Sequence, residues 1–281
     1  MKLKYKRILQ SIFVNDIIWY ILYPSIFVAK RLELSRQNFI HRKTEDENIA
    51  ICEKLFAGEQ VLNGIFKGLK FKNIKATGSS IYAKLLGSYE MELEPVLQKM
   101  FKRKYDYFIN VGCDEGYYAV GIAKKIPGVK VIAFDCNKDA QKRCSALAEL
   151  NQVQQSINIK GCFSLNEIEA VATENNILFI VDCEGCENEI ITQYLINKFT
   201  TADFIIELHF EKVPLVLLKL QELFAASHHI SLINALSDHE RVLHCKFSEI
   251  EHLSYQQQKF ILEEREGFMQ WLIARPVNIV F

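Results

Sequence analysis

The sequence predicts an α/β fold: a doubly wound, mostly parallel, Rossmann-like sheet at residues 96–281, preceded by an N-terminal helical or mixed cap at 1–95. Three observations carry this. From Tyr105 onward, short apolar runs alternate with segments of helical periodicity, the pattern that puts helices on both faces of a parallel sheet. Ile177–Val181 is apolar at every position, as a strand buried on both faces must be. Glycines and carboxylates gather where the predicted strands end, which is where an open parallel sheet binds its ligands.

The elements follow in order. MKLKYKR is basic and Ile8–Ala29 strongly apolar, but Asn15, Asp16 and Pro24 interrupt the run and no small-residue cleavage site follows. A helix packed on the rest of the protein or on a partner is expected, ahead of an interfacial membrane helix or a spanning one. Leu32 to Glu59 is charged and helical in character, a solvated surface. Gly58, Gly64, Gly68 and Gly78 then punctuate short apolar pieces such as Leu69–Ile74, which suggest small strands and turns. Met91–Phe101 has helical periodicity.

In the sheet domain, strands are expected at Tyr107–Val111, Lys130–Phe134, Ile157–Ile159, Ile177–Val181 and Phe204–Leu208. Helices are expected at Tyr117–Lys125, Lys138–Asn151, Asn166–Glu174, Glu187–Phe199 and Leu215–Ala226. Ile230–Ala235, Val242–Lys246 and Trp271–Ala274 read as late strands able to pair antiparallel at an edge, and His228 and His229 as a surface loop.

Composition excludes some classes. With 34 basic and 34 acidic residues the formal net charge is zero, so the chain lacks the positive field of a nonspecific nucleic-acid binder. At 49% hydrophobic residues it is not largely disordered. Eight cysteines scattered through apolar segments of a long chain read as mostly reduced and buried, hence cytoplasmic. Cys183 and Cys186 have the spacing of a metal or redox pair, but no second close Cys/Cys or Cys/His pair recurs to complete a zinc site.

The first strand runs into Gly112, Cys113, Asp114, Glu115 and Gly116 before a helix begins; glycines at both ends let the backbone pass close to a ligand. Asp135 ends the second strand, 23 residues after Gly112, and a carboxylate there can accept both ribose hydroxyls. A dinucleotide loop wants bare amides for its pyrophosphate. Asp114 and Glu115 would repel that group, yet suit the sulfonium and amino group of S-adenosylmethionine (SAM). Clustered carboxylates follow the fourth strand in VDCEGCENEI, and IIELHF places Glu207 and His209 on the same side of an extended chain.

VGCDEGYYAV, FDCN, VDCEGCENEI and IIELHF, preceded by GSYE, resemble the FkbM-type SAM-dependent methyltransferases over roughly Gly87 to Phe210. In that family Asp-x-Glu-Gly-x-Glu follows the fourth strand and Gly-x-Tyr-Glu precedes the first. DCEGCE is the most specific part of the likeness; the glycine loop departs from GxGxG, with Asp114 at its middle position. The resemblance implies a class I methyltransferase fold. It also implies cofactor contacts from Glu90, Gly112, Asp114, Gly116, Asp135 and Asp182, and chemistry from Asp182, Glu184, Glu187 and His209.

Glu184 and Glu187 lie three residues apart, so one could orient or deprotonate the nucleophile, and His209 could be the base for a hydroxyl. No metal ligands are assigned, although the carboxylates could alternatively hold a divalent cation. The expected activity is O-methylation of a saccharide, lipid-linked glycan or secondary metabolite. Tyr82, Tyr89, Tyr117 and Tyr118 are candidates for an aromatic wall against a sugar, or for the core. Residues 1–29 could touch a membrane peripherally. A nicotinamide-dependent oxidoreductase and a noncatalytic binding protein are the alternatives.

Overall fold

The computed structural model describes residues 16–72, 80–171, 176–264, 267 and 269–277. The basic MKLKYKR, the first half of the apolar run, the end of Leu69–Ile74 with Gly78, and the end of Asn166–Glu174 lie outside them. The chain divides into two compact units, residues 1–54 and 55–281.

The described part of the first unit belongs to helix α1 (Asp16–Leu55), which continues through Pro24. Trp19, Tyr20, Tyr23, Phe27 and Val28 are exposed on it. No helix among the described residues is long and apolar enough to cross a membrane.

The second unit is built on a seven-stranded sheet: β1 (Tyr107–Val111), β2 (Lys130–Phe134), β3 (Ile157–Lys160), β4 (Ile177–Val181), β5 (Asp203–Leu208), β6 (His228–Asn234) and β7 (Gln270–Pro276), in the order β3-β2-β1-β4-β5-β7-β6. β7 is antiparallel to both its neighbours, so the other six strands share one direction. This is the doubly wound, mostly parallel sheet expected.

Its helices are α2 (Ile81–Leu86), α3 (Glu94–Met100), α4 (Tyr117–Lys125), α5 (Lys138–Leu150), α6 (Glu187–Ile190), α7 (Gln193–Lys198), α8 (Val216–Phe224), α9 (Asp238–His244) and α10 (Tyr255–Leu262). Ile109, Val111, Phe179, Val181 and Ile206 form one core with α7 and α8. The alternate residues Asn110, Ile180 and Ile205, with Glu207 beyond, therefore face the other side of the sheet.

Several expectations are corrected. Val242–Lys246 is not a strand: Val242 lies in α9, which starts at a capping box in which Ser237 and Glu240 satisfy each other's backbone amides. Glu187–Phe199 is two helices, because Thr192 adopts extended backbone and caps α7 by accepting from the Leu195 amide. Asn166–Glu174 is replaced over its described part by two short 3₁₀ turns, Leu165–Glu167 and Glu169–Val171. Among the described residues, the small strands expected in the cap reduce to one bridge, Gln60 to Lys70.

His228 is buried in β6, its ring between Ser227 Oγ and the Ala202 carbonyl, and is no surface-loop residue. Six cysteines are free, but Cys136 and Cys162, just past the ends of β2 and β3, form a disulfide with Cα atoms 4.3 Å apart.

Candidate functional site

The sheet order reverses between β1 and β4, and the cleft opens there. Gly112 follows β1 with φ +80°, and a Cβ on it would fall 1.6 Å from the carbonyl oxygen of Asp182, the residue after β4. Only glycine lets the two strand ends approach this closely. Gly116 enters α4 at φ +95°, and a Cβ there would meet Cys144 Sγ at 2.7 Å. The loop between them is tied to β2, since the amides of Gly112 and Cys113 both donate to the Phe134 carbonyl.

Asp135 braces the same loop. Its Oδ2 accepts from the Asp114 amide at 2.9 Å and its Oδ1 from the Asn137 amide at 2.8 Å. The cap of α5 is Asn137, whose side chain accepts from the Asp139 amide. Asp135 is thus free of capping duty and half-buried on the cleft wall.

The two acidic loop residues do not stand as bare anions. Asp114 pairs with Arg143 on α5, and Glu115 with Lys84 on α2, an ion pair whose two side chains are at most 9% exposed. The hydrogen bond to Glu115, then Arg143 and Lys84, hold the Asp114 carboxyl below its usual range, while burial pushes Glu115 up. The loop therefore carries little net charge, and its anionic character does not by itself choose between a sulfonium and a pyrophosphate.

Beyond β4 and β5 the carboxylates converge on one imidazole. His209 Nδ1 lies 2.6 Å from Glu187 Oε1, while Nε2 lies 3.6 Å from Asp182 Oδ1, 3.6 Å from Glu207 Oε2 and 3.7 Å from Glu184 Oε2. Glu187 and Glu207 are fully buried. Burial disfavours the imidazolium, but the hydrogen bond and charge of Glu187, with Asp182 and Glu184, outweigh it and raise the His209 pKa. Burial likewise opposes ionisation of Glu187, yet His209 and the Gly185 amide hold its pKa below the ordinary value.

The four predicted chemical residues divide by position. Asp182 and His209 line the cleft. Glu187 sits behind His209 and orients it. Glu184 lies on the rim, mostly exposed and paired with Lys212. Cys183 touches Glu187 at 3.7 Å and burial pushes its thiol up, against thiolate chemistry; Cys186 is exposed at the start of α6.

The cleft has a volume of about 690 Å³ and runs from Asp135 past Gly112 and Asp182 to His209, within the range of small-molecule sites. Tyr89, Tyr117 and Tyr118 line it, Tyr117 meeting Tyr89 and Tyr118 edge to face at 5.2 and 5.5 Å. Tyr82 instead lies between Phe56 and Phe260. Glu90 is buried one layer back, where it accepts from the Tyr118 hydroxyl. Glu90, Asp114 and Glu184 all have left-handed backbone, φ +50°, +41° and +58°, a cost of order 1–3 kcal/mol each that clusters at functional sites.

Sequence reasoning missed Lys84, Arg143 and Asn110. Asn110, buried in β1, lines the cleft and has no hydrogen bond to its Oδ1; a polar residue inside an apolar strand was its signal.

No protein-family model and no curated protein matches the chain. Among solved structures it is similar to the O-methyltransferase TomG from Streptomyces achromogenes, involved in tomaymycin synthesis and bound to SAM, at 8% identity over 74% of this chain and 91% of that one, TM-score 0.45. It is similar to the precorrin-6y C5,15-methyltransferase from Geobacter metallireducens at 10% identity over 64% and 86%, TM-score 0.44. An rRNA methylase from Streptococcus thermophilus gives 10% identity over 66% and 96%, TM-score 0.42.

Proposed function

We propose that the protein is a SAM-dependent methyltransferase of the FkbM type, acting on a hydroxyl of a saccharide, lipid-linked glycan or secondary metabolite. The observation that carries this reading is the contact of Gly112 with Asp182 at the strand-order switch, which brings the glycine loop and the DCEGCE segment into one cleft. In this reading Asp135 takes the ribose hydroxyls and the backbone of Gly112 to Gly116 lines the methionine part. Asp182 faces the sulfonium, and Glu90 supports the wall through Tyr118. His209 offers Nε2 toward the acceptor, with Glu187 fixing its ring.

Methyl transfer asks the protein chiefly to align oxygen, methyl carbon and sulfur, because the donor is already activated. Calorimetry of the full chain with SAM and with NAD tests the proposal: binding of SAM alone is expected. Binding of NAD alone would favour an oxidoreductase, and SAM binding with no labelled product from any glycan tried would favour a noncatalytic binding protein.

The exposed Trp19, Tyr20, Tyr23, Phe27 and Val28, flanked in sequence by Lys30 and Arg31, support an interfacial contact of this segment with an anionic membrane. A cytoplasmic location is part of the same reading; six of the eight cysteines are free, which supports it, and the Cys136–Cys162 disulfide counts against it. Co-sedimentation with anionic vesicles, lost on deleting residues 1–31, is expected.

A further inference from the structure

We infer that Asp182, Glu207 and His209 are the protein ligands of a divalent cation of the Mg²⁺ or Mn²⁺ kind, and that the cation rather than the bare imidazole meets the acceptor hydroxyl. This deepens the methyltransferase reading and rests on it for the cation's role. The three residues bring one ligand atom each within 4.8 Å of one another.

The distances suit shared coordination better than direct bonding. His209 Nε2 is 3.6 Å from both Asp182 Oδ1 and Glu207 Oε2, beyond the ~3.2 Å limit of a good hydrogen bond. Ligand atoms each about 2.1 Å from a common ion stand roughly 3.0–3.4 Å apart at right-angled or tetrahedral spacing. A shift of a few tenths of an ångström would therefore seat the ion. Asp182 Oδ1 is sealed from solvent and no hydrogen bond reaches it, a costly state for a carboxylate oxygen unless a ligand satisfies it.

The surroundings are those of a built site. Glu187, fully buried, accepts the Nδ1–H of His209 at 2.6 Å. In the neutral ring that a cation would bind, this bond places the Nε2 lone pair toward the two carboxylates, the arrangement by which a carboxylate orients a ligating histidine. By strand register Asp182 and Glu207 continue the β4–β5 pairing onto the sheet face that carries Asn110, with its unbonded Oδ1. Lys212, the nearby lysine, is engaged by Glu184. One nitrogen and carboxylate oxygens, without thiolate, favour a hard cation.

The cation would lower the pKa of a bound acceptor hydroxyl. Its proton leaves to solvent, the oxygen bonds to the methyl carbon of SAM, and the carbon–sulfur bond breaks with its electron pair on sulfur. The products are the methyl ether and S-adenosylhomocysteine.

The test is a Mn²⁺ titration of the chelator-treated full chain without SAM, followed by the paramagnetic resonance signal of free Mn²⁺. One Mn²⁺ per chain, displaced by Mg²⁺, is expected. Asp182→Asn and Glu207→Gln should each weaken it at least ~10-fold, and Glu187→Gln, through orientation, ~10–100-fold. Replacing Cys183 and Cys186 together by Ala should leave it unchanged. No stoichiometric Mn²⁺, equal binding by the carboxylate variants, or loss in the cysteine variant would each overturn the proposal. Should Glu207→Gln fail to fold by circular dichroism, the half-exposed Asp182→Asn carries the comparison. SAM calorimetry in chelator, run beside it, keeps the readings apart: SAM binding without Mn²⁺ binding sinks the cation site alone, and Mn²⁺ binding without SAM binding sinks the methyltransferase.

Discussion

Gly112 passes so close to Asp182 that a Cβ on the glycine would stand 1.6 Å from the aspartate's carbonyl oxygen. The obstacle is backbone, and it joins the ends of β1 and β4, so no side-chain rotation relieves it. With φ at +80° the position also penalises any L side chain. Gly112→Ala is therefore expected to cost more than ~4 kcal/mol, or to part the strand ends. Urea denaturation measures the loss, and a variant as stable as the parent with unchanged SAM affinity would contradict this account of the loop.

Asp135 has a structural task and, in the proposed reading, a binding one. It accepts two backbone amides, those of Asp114 and Asn137, and it is the candidate ribose acceptor. Asp135→Ala should abolish SAM binding and also lose ~1–3 kcal/mol of stability with those hydrogen bonds. Asp135→Asn keeps one carbonyl oxygen and should fall between in both respects. Calorimetry with SAM beside thermal melts reads the two effects, and full affinity in Asp135→Ala would remove the ribose assignment.

How far the sequence revealed this site depends on the range of each interaction. The bounds of β1, β2, β4 and α4 were legible because apolar period and flanking glycines are local signals. The placement of Asp135 and Asp182 at strand ends followed from them. The break at Thr192 and the start of α9 were missed because caps overrode apolar content. Arg143 reaches Asp114 across 29 residues and Lys84 reaches Glu115 across 31. No spacing rule announces such pairs, so the loop read as anionic when it is neutralised. The division of labour in DCEGCE was equally hidden: only the fold shows Glu187 buried behind His209 and Glu184 on the rim.

The Lys84–Glu115 pair gives a double-mutant test of that neutralisation. Both side chains are almost wholly buried, and removing one partner strands a buried charge. Lys84→Met and Glu115→Leu should each cost ~3–5 kcal/mol, whereas the double variant should recover much of the loss. Additive costs in urea denaturation would mean that the two charges do not depend on each other.

Glu264 supplies the pH dependence. It is buried against Arg241 and accepts from the Glu90 amide, with Glu92 also beside Arg241. Burial pushes its carboxyl up to about 8; Arg241 opposes the rise and the charges of Glu90 and Glu92 add to it. A carboxyl whose pKa is raised on folding binds its proton more tightly in the folded chain, so its contribution is fully present below about 4.5, the unfolded value. It is lost as pH rises toward about 8 and changes no further above that. Relative to Glu264→Gln, which cannot ionise, the parent should lose stability from about pH 5 to about pH 8, at most ~1.4 kcal/mol per pH unit for one proton. His228, whose pKa burial lowers, is common to both proteins and cancels in the difference. Parallel stability curves for the two would show that Arg241 keeps Glu264 ionised throughout.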